Sequence, residues 1–143
     1  MIIDAKNAIA GRLGTIAAKK ALLGEEVIIV NAEKAVITGK PEIIIEKYYN
    51  LTQKGNPFKG PFVSRSPDRL LRRIIRGMLP IKKPRGKEAY KRIKCYIGIP
   101  EEFKDKEIKT FKEIQLSEDS FIEHVTLLDI AKNIGWKPRV NIE

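Results

Sequence analysis

The apolar positions of this chain change period several times, and each change marks an element. Residues 1–5 and 26–31 are short β-rich runs, and Val27 to Val30 is uninterrupted and β-branched, the pattern of a strand covered on both faces in a parallel sheet. Between them Ala10 to Leu23 is rich in Ala, Leu and Lys and ends at Gly24, so the opening predicts a β-α-β unit with a right-handed crossover. Val36 to Thr38 predict a short strand or lead-in before Gly39. Pro41 then suits the first turn of a helix running to about Leu51, with Ile44, Tyr48 and Leu51 repeating on the core side.

The middle of the chain is punctuated by Gly and Pro. From Gln53 to Ser64, Gly55, Pro57, Gly60 and Pro61 alternate with Phe58 and Phe62, which predicts an ordered loop more than a linker. Ser66-Pro67-Asp68 supplies an N-cap, a first-turn proline and an early acid, so a helix should run from here to about Leu79 and stop at Pro80. Residues 80–88, with two prolines and repeated cations, predict an extended basic loop. Ile93, Cys95 and Ile97 alternate with Lys94 and Tyr96 as a strand ending near Gly98 and Pro100. Ile108, Phe111 and Ile114 fit either helix or strand. Thr126 with Asp129 has the spacing of a capping box, opening a short helix through Ile134 that Gly135 ends.

Charge sharpens this picture, because it is not spread evenly. Fourteen of the 28 Lys and Arg residues lie between Lys54 and Lys94, where only Asp68 and Glu88 are acidic, so the net charge of +10 belongs to one segment. Within the predicted helix Arg69, Arg72, Arg73 and Arg76 fall on an arc of about 100°, opposite Leu70, Leu71, Ile74, Ile75, Met78 and Leu79. Like charges at this spacing cost a helix a few tenths of a kcal/mol per pair, so a chain shaped for stability alone would have interleaved Glu. Arg also offers a flat donor fork that suits phosphate. The expected partner is a polyanion, and folded RNA fits best because three successive elements share one sign. The candidate contacts are Arg12 near the first helix, Lys54, Lys59 and Arg65 before the arginine helix, its Arg69, Arg72, Arg73 and Arg76, then Lys82, Lys83, Arg85, Lys87, Lys91 and Arg92. Phe58, Phe62 and Tyr90 can either stack on unpaired bases or pack beneath their loop.

Other chemistries find less support. Gly11 and Gly14 enter the first helix, and Glu33 lies about 20 residues on, where a dinucleotide fold keeps its ribose-binding acid. Ile9 stands where that fingerprint needs its first glycine, so close helix packing or RNA approach explains the glycines better. A nucleotide-binding enzyme and a basic protein-interaction module remain the alternatives. His124 is the sole histidine, and Cys95, the sole cysteine, occupies an apolar strand position, so no disulfide or Cys-rich metal site is expected. No apolar run approaches a bilayer's thickness and no secretory layout opens the chain, so no membrane partner is expected and the location expected is the cytoplasm. The size suits one domain over residues 1–143, with a basic segment 53–94 and an acidic extension 101–143.

Ile3-Asp4-Ala5, Gly11-Arg12-Leu13, Val30-Asn31-Ala32-Glu33-Lys34 with Thr38-Gly39, Tyr48-Tyr49, and above all Arg76-Gly77-Met78-Leu79-Pro80 followed by Gly86 and Tyr96-Ile97-Gly98 form a recognisable set. Through them the chain resembles the archaeal-type members of the universal large-subunit ribosomal protein family numbered thirteen, closely over residues 1–100 and loosely beyond. The resemblance implies a three-layer α/β/α fold with a four-stranded, largely parallel sheet and extended basic loops. It further implies binding of 23S-type rRNA in early subunit assembly, contact with neighbouring ribosomal proteins, and no catalysis, cofactor, metal or small-molecule substrate. The chain departs from the bacterial pattern at Asn50-Leu51-Thr52, where bacterial members carry a histidine-containing motif, and it lacks their later His-Pro-His-like segment.

Overall fold

A computed structural model describes residues 1–139. The predicted β-α-β unit is present: β1 (Ile2–Asp4) pairs parallel with β2 (Val27–Val30), and α1 (Ala10–Leu22) makes the connection. The inner face of α1 is built from Ala10, Leu13, Gly14, Ala17, Ala18 and Ala21, all buried, and these short side chains let the helix lie close to its neighbours. Val27 and Ile29 join the main core with α1. Ile28 and Val30 point to the opposite face, where Ile2, Tyr96, Phe103 and Ile108 cover them. That second face is covered by a 3-10 turn at Glu101–Phe103 and its flanks, where the three-layer expectation placed an α-helix.

The sheet departs from the expected four strands. It has three, in the order β1-β2-β4, with β4 (Ile93–Cys95) also parallel to β2. The missing candidate, β3 (Val36–Thr38), pairs antiparallel with β5 (His124–Thr126) in a separate ribbon. The cause lies just after β2. Asn31 takes a left-handed backbone (φ 55°), a 3-10 turn follows at Ala32–Lys34, and the chain leaves the sheet before β3 begins. Residues 108–114, which fitted helix or strand, run extended along the outer edge of β1: Asp4 N–H donates to the Lys109 carbonyl and Lys109 N–H to that of Ile2, before a 3-10 turn buries Ile114.

The helices follow their start signals better than their expected ends. α2 (Pro41–Gln53) begins on its proline, but it buries no residue fully and lays only a half-buried stripe, including Ile44, Ile45 and Tyr48, on the core. α3 (Pro67–Arg76) stops at Gly77, short of Leu79, and the Ser66 hydroxyl bonds the Asp68 carboxylate in place of a backbone N–H. The expected basic loop at 80–88 is largely helix, α4 (Pro84–Arg92). Pro84 sits in the first turn, where a missing N–H costs nothing, so it starts this helix rather than breaking it. Gly86 is required because α4 runs against the turn before it: a β-carbon there would collide with the Pro80 carbonyl. α5 (Leu127–Asn133) opens on the anticipated cap, the Asp129 N–H donating to the Thr126 hydroxyl at 3.2 Å. It packs on α3 and buries Leu127, Ile130 and Ala131.

Candidate nucleic-acid interface

α3 is fixed by its apolar side, where Leu70, Leu71 and Ile75 are buried. This leaves Arg69, Arg73 and Arg76 exposed on the other side. Beyond α3, Met78 closes over α1: its thioether carbon lies 3.1 Å from where a β-carbon on Gly14 would stand, so close helix packing accounts for that glycine. Gly11 faces open space and its carbonyl accepts the Thr15 hydroxyl.

Arg72 departs from the expected four solvent-facing guanidiniums. It is half-buried, its Cζ lies 4.3 Å from the centroid of the Tyr90 ring, and Nη2 donates to the Tyr90 carbonyl at 3.3 Å. Its Nε is buried without a partner. Arg72 thus clamps α3 to α4, and Tyr90, packed on the core beneath it, is not offered to a ligand. Arg92 is a second such tie, donating from Nη1 to the Ala21 carbonyl at 3.1 Å, where α1 ends and cationic groups are favoured. The signal for α4 was the Glu88/Arg92 spacing, a helical i,i+4 pair separated by 3.8 Å here.

The remaining candidates divide by position. Arg12 is exposed in the first turn of α1, with Nη1 3.4 Å from the Glu113 carbonyl. Lys54, Lys59 and Arg65 are exposed along the segment between α2 and α3. Lys82 and Lys83 project from the turn before α4, and Arg85, Lys87 and Lys91 from α4 itself. Among the described residues, Arg92 is the only candidate with a carboxylate within ion-pair distance; the other pairs are Lys20–Glu25 and Lys94–Glu26. Arg72 and Arg92 apart, the cations of α3 and α4 are therefore not consumed internally. Arg73 also acts on α2: burial raises the Tyr48 phenol above its ordinary pKa, while the Arg73 charge works against that shift.

A cleft at the carboxyl ends of the parallel strands tests the dinucleotide alternative. Asn31, Glu33, Ser66, Arg69, Gly98 and Trp136 are among its lining residues. Glu33 is 1% exposed and its Oε2 accepts the Gly98 N–H at 3.0 Å, while Asn31 donates to Asp4 at 2.9 Å. The acid that mimicked a ribose ligand ties the end of β2 to the end of β4. Cys95 on β4 is half-buried against the core, and desolvation pushes its thiol up to about 12.

An α/β body with a run of exposed cations on one helix, the turns around it and the next helix fits the class of small basic proteins that dock on polyanions. Comparison with known proteins gives the family. The model of the family described as ribosomal protein L13 matches residues 1–102. The chain is also 46% identical over 142 residues to the large ribosomal subunit protein uL13 of Methanococcus maripaludis, covering 96% of this chain and 98% of that one. It is 44% identical over 140 residues to its namesake in Methanocaldococcus jannaschii, covering 95% and 98%, and 42% over 138 residues to that in Methanopyrus kandleri, covering 95% and 87%. The chain belongs to the ribosomal protein L13 family, whose members are structural components of the large ribosomal subunit and not enzymes.

Proposed function

We propose that this protein acts as a single domain holding 23S-type rRNA during assembly of the large subunit, and that segment 53–94 does the holding. The observation that carries this reading is the exposed, carboxylate-free arginine side of α3, with Arg69, Arg73 and Arg76 above a fixed apolar base. Arg12, Lys54, Lys59, Arg65, Lys82, Lys83, Arg85, Lys87 and Lys91 extend the contact, chiefly to phosphates. Arg72 and Arg92 position the helices that carry the others. The acidic stretch after residue 100 meets a neighbouring ribosomal protein, a reading supported by Phe121, fully exposed near Glu118, Asp119 and Glu123. The protein works in the cytoplasm as part of the ribosome.

Crosslinking in cells followed by sequencing of the attached RNA tests this directly. Recovered rRNA should cluster at peptides from residues 53–94. Crosslinks confined to the acidic stretch, or absent from rRNA, would refute the assignment.

A further inference from the structure

Phe58 and Phe62 are 90% and 73% exposed, although the turn that carries them is built to a fixed shape. Asn56 N–H donates to the Gly60 carbonyl at 3.1 Å, the Asn56 carbonyl accepts the N–H groups of Lys59 and Gly60, and Asn56 Oδ1 accepts the Phe58 N–H at 3.0 Å. Gly55 (φ 85°) lies so close to the turn's far side that a β-carbon would strike the Gly60 carbonyl. The edge of the Phe62 ring lies 3.2 Å from the point a β-carbon on Gly60 (φ 89°) would occupy. The packing beneath the loop that would have explained two phenylalanines does not occur. Ordered apolar rings left in water mark a surface that something else covers.

Charge identifies the occupant. From Lys47 to Pro67 there is no acidic residue, whereas Lys54 and Lys59 bracket Phe58, and Arg65 follows Phe62. Phe121 makes the contrast, since it is equally bare but stands among carboxylates that would repel phosphate. We propose that the Asn56–Phe62 turn is a base-stacking site in which Phe58 and Phe62 take unpaired nucleobases of the rRNA while Lys54, Lys59 and Arg65 hold the adjoining phosphates. An aromatic ring receives any base on its flat face, and flanking cations hold the strand against it. The proposal rests on the rRNA reading above and adds a second mode of contact to it, at unpaired positions rather than along the backbone.

The test is filter binding of the full chain to a 23S-type rRNA transcript. Phe58→Ala and Phe62→Ala should each weaken binding by roughly 5- to 100-fold. The salt dependence should keep its slope, because no phosphate contact is lost. Phe58→Trp should bind like the parent, and its fluorescence should be quenched by the RNA. Melting should be unchanged in all three, as the rings touch little. Parental affinity in both alanine variants would overturn the proposal, as would reduced incorporation into subunits at unchanged RNA affinity, which would give the rings to a protein neighbour. A variant with Arg69, Arg73 and Arg76 all changed to Glu, reversing the charge of α3, separates the two levels. If reversal abolishes binding while the alanine variants bind normally, stacking falls and the rRNA reading stands; if neither has any effect, both fall.

Discussion

Residues that looked alike in composition have different duties. Arg72 and Arg73 are adjacent cations on one helix, yet Arg72 lies over Tyr90 and Arg73 faces out. Arg72→Ala should therefore lower stability by about 1–2 kcal/mol, through loss of the ring contact and a charged hydrogen bond, whereas Arg73→Ala should leave the melting temperature within error. Thermal denaturation of the two variants checks this. Gly86→Ala should also destabilise, by about 1–3 kcal/mol, because the added carbon meets the Pro80 carbonyl and either α4 or the turn must move. With its thiol raised to about 12, Cys95 holds almost no thiolate near neutrality. Its labelling by a disulfide reagent at pH 8 should be at least ~100-fold slower in the folded protein than in urea, and fast native labelling would contradict a thiol held protonated by its surroundings. The sign is set by burial. The folded thiol keeps its proton between about pH 9 and 12 while the unfolded one loses it, so this group's contribution is complete below pH 9 and declines as pH rises through that window.

At the scale of elements, α3 is the sharpest case of a proposed function written as a period. Its apolar and basic residues alternate at helical spacing, and the structure buries Leu70, Leu71 and Ile75 as that spacing requires. Reversing Arg69, Arg73 and Arg76 to Glu together should abolish rRNA binding while leaving the circular-dichroism melt nearly intact; a collapsed melt would mean that the helix is seated differently. What could be read in advance and what could not have separate physical causes. Starts were legible because Pro41, Pro67 and the Thr126/Asp129 pair act within one turn of themselves. The same local logic fails at residues 80–88, where Pro84 reads as a breaker although it occupies the first turn, which a helix accepts, and where Gly86 answers to Pro80 across a turn. The partnership of β3 with β5 was not legible at all. It joins segments more than eighty residues apart, and nothing local to Val36–Thr38 declares its partner. The site was legible as charge, but the diversion of Arg72 and Arg92 into structural ties depends on contacts made after folding.

For the molecule as a whole, the uneven charge sets how binding responds to its surroundings. If about six phosphates are neutralised, log K should fall with log salt at a slope of about −4 to −5, and a titration giving a slope near zero would remove the electrostatic basis of the interface. On the proposed reading, the acidic stretch after residue 100 should make that attraction directional, since its carboxylates repel the phosphates that segment 53–94 is proposed to hold.

The recognised family pattern ends at residue 102, but the main core does not. Leu127, Ile130 and Ala131 are fully buried, and β5 supplies the second half of its ribbon. A polypeptide emerging from synthesis therefore holds its arginine helix before it holds α5, which packs against it, and until then α3 lacks part of its cover. Maturation must wait for β5 and α5 to be made, so a messenger cut short after the pattern should yield a sticky, protease-sensitive product that still carries the whole basic segment.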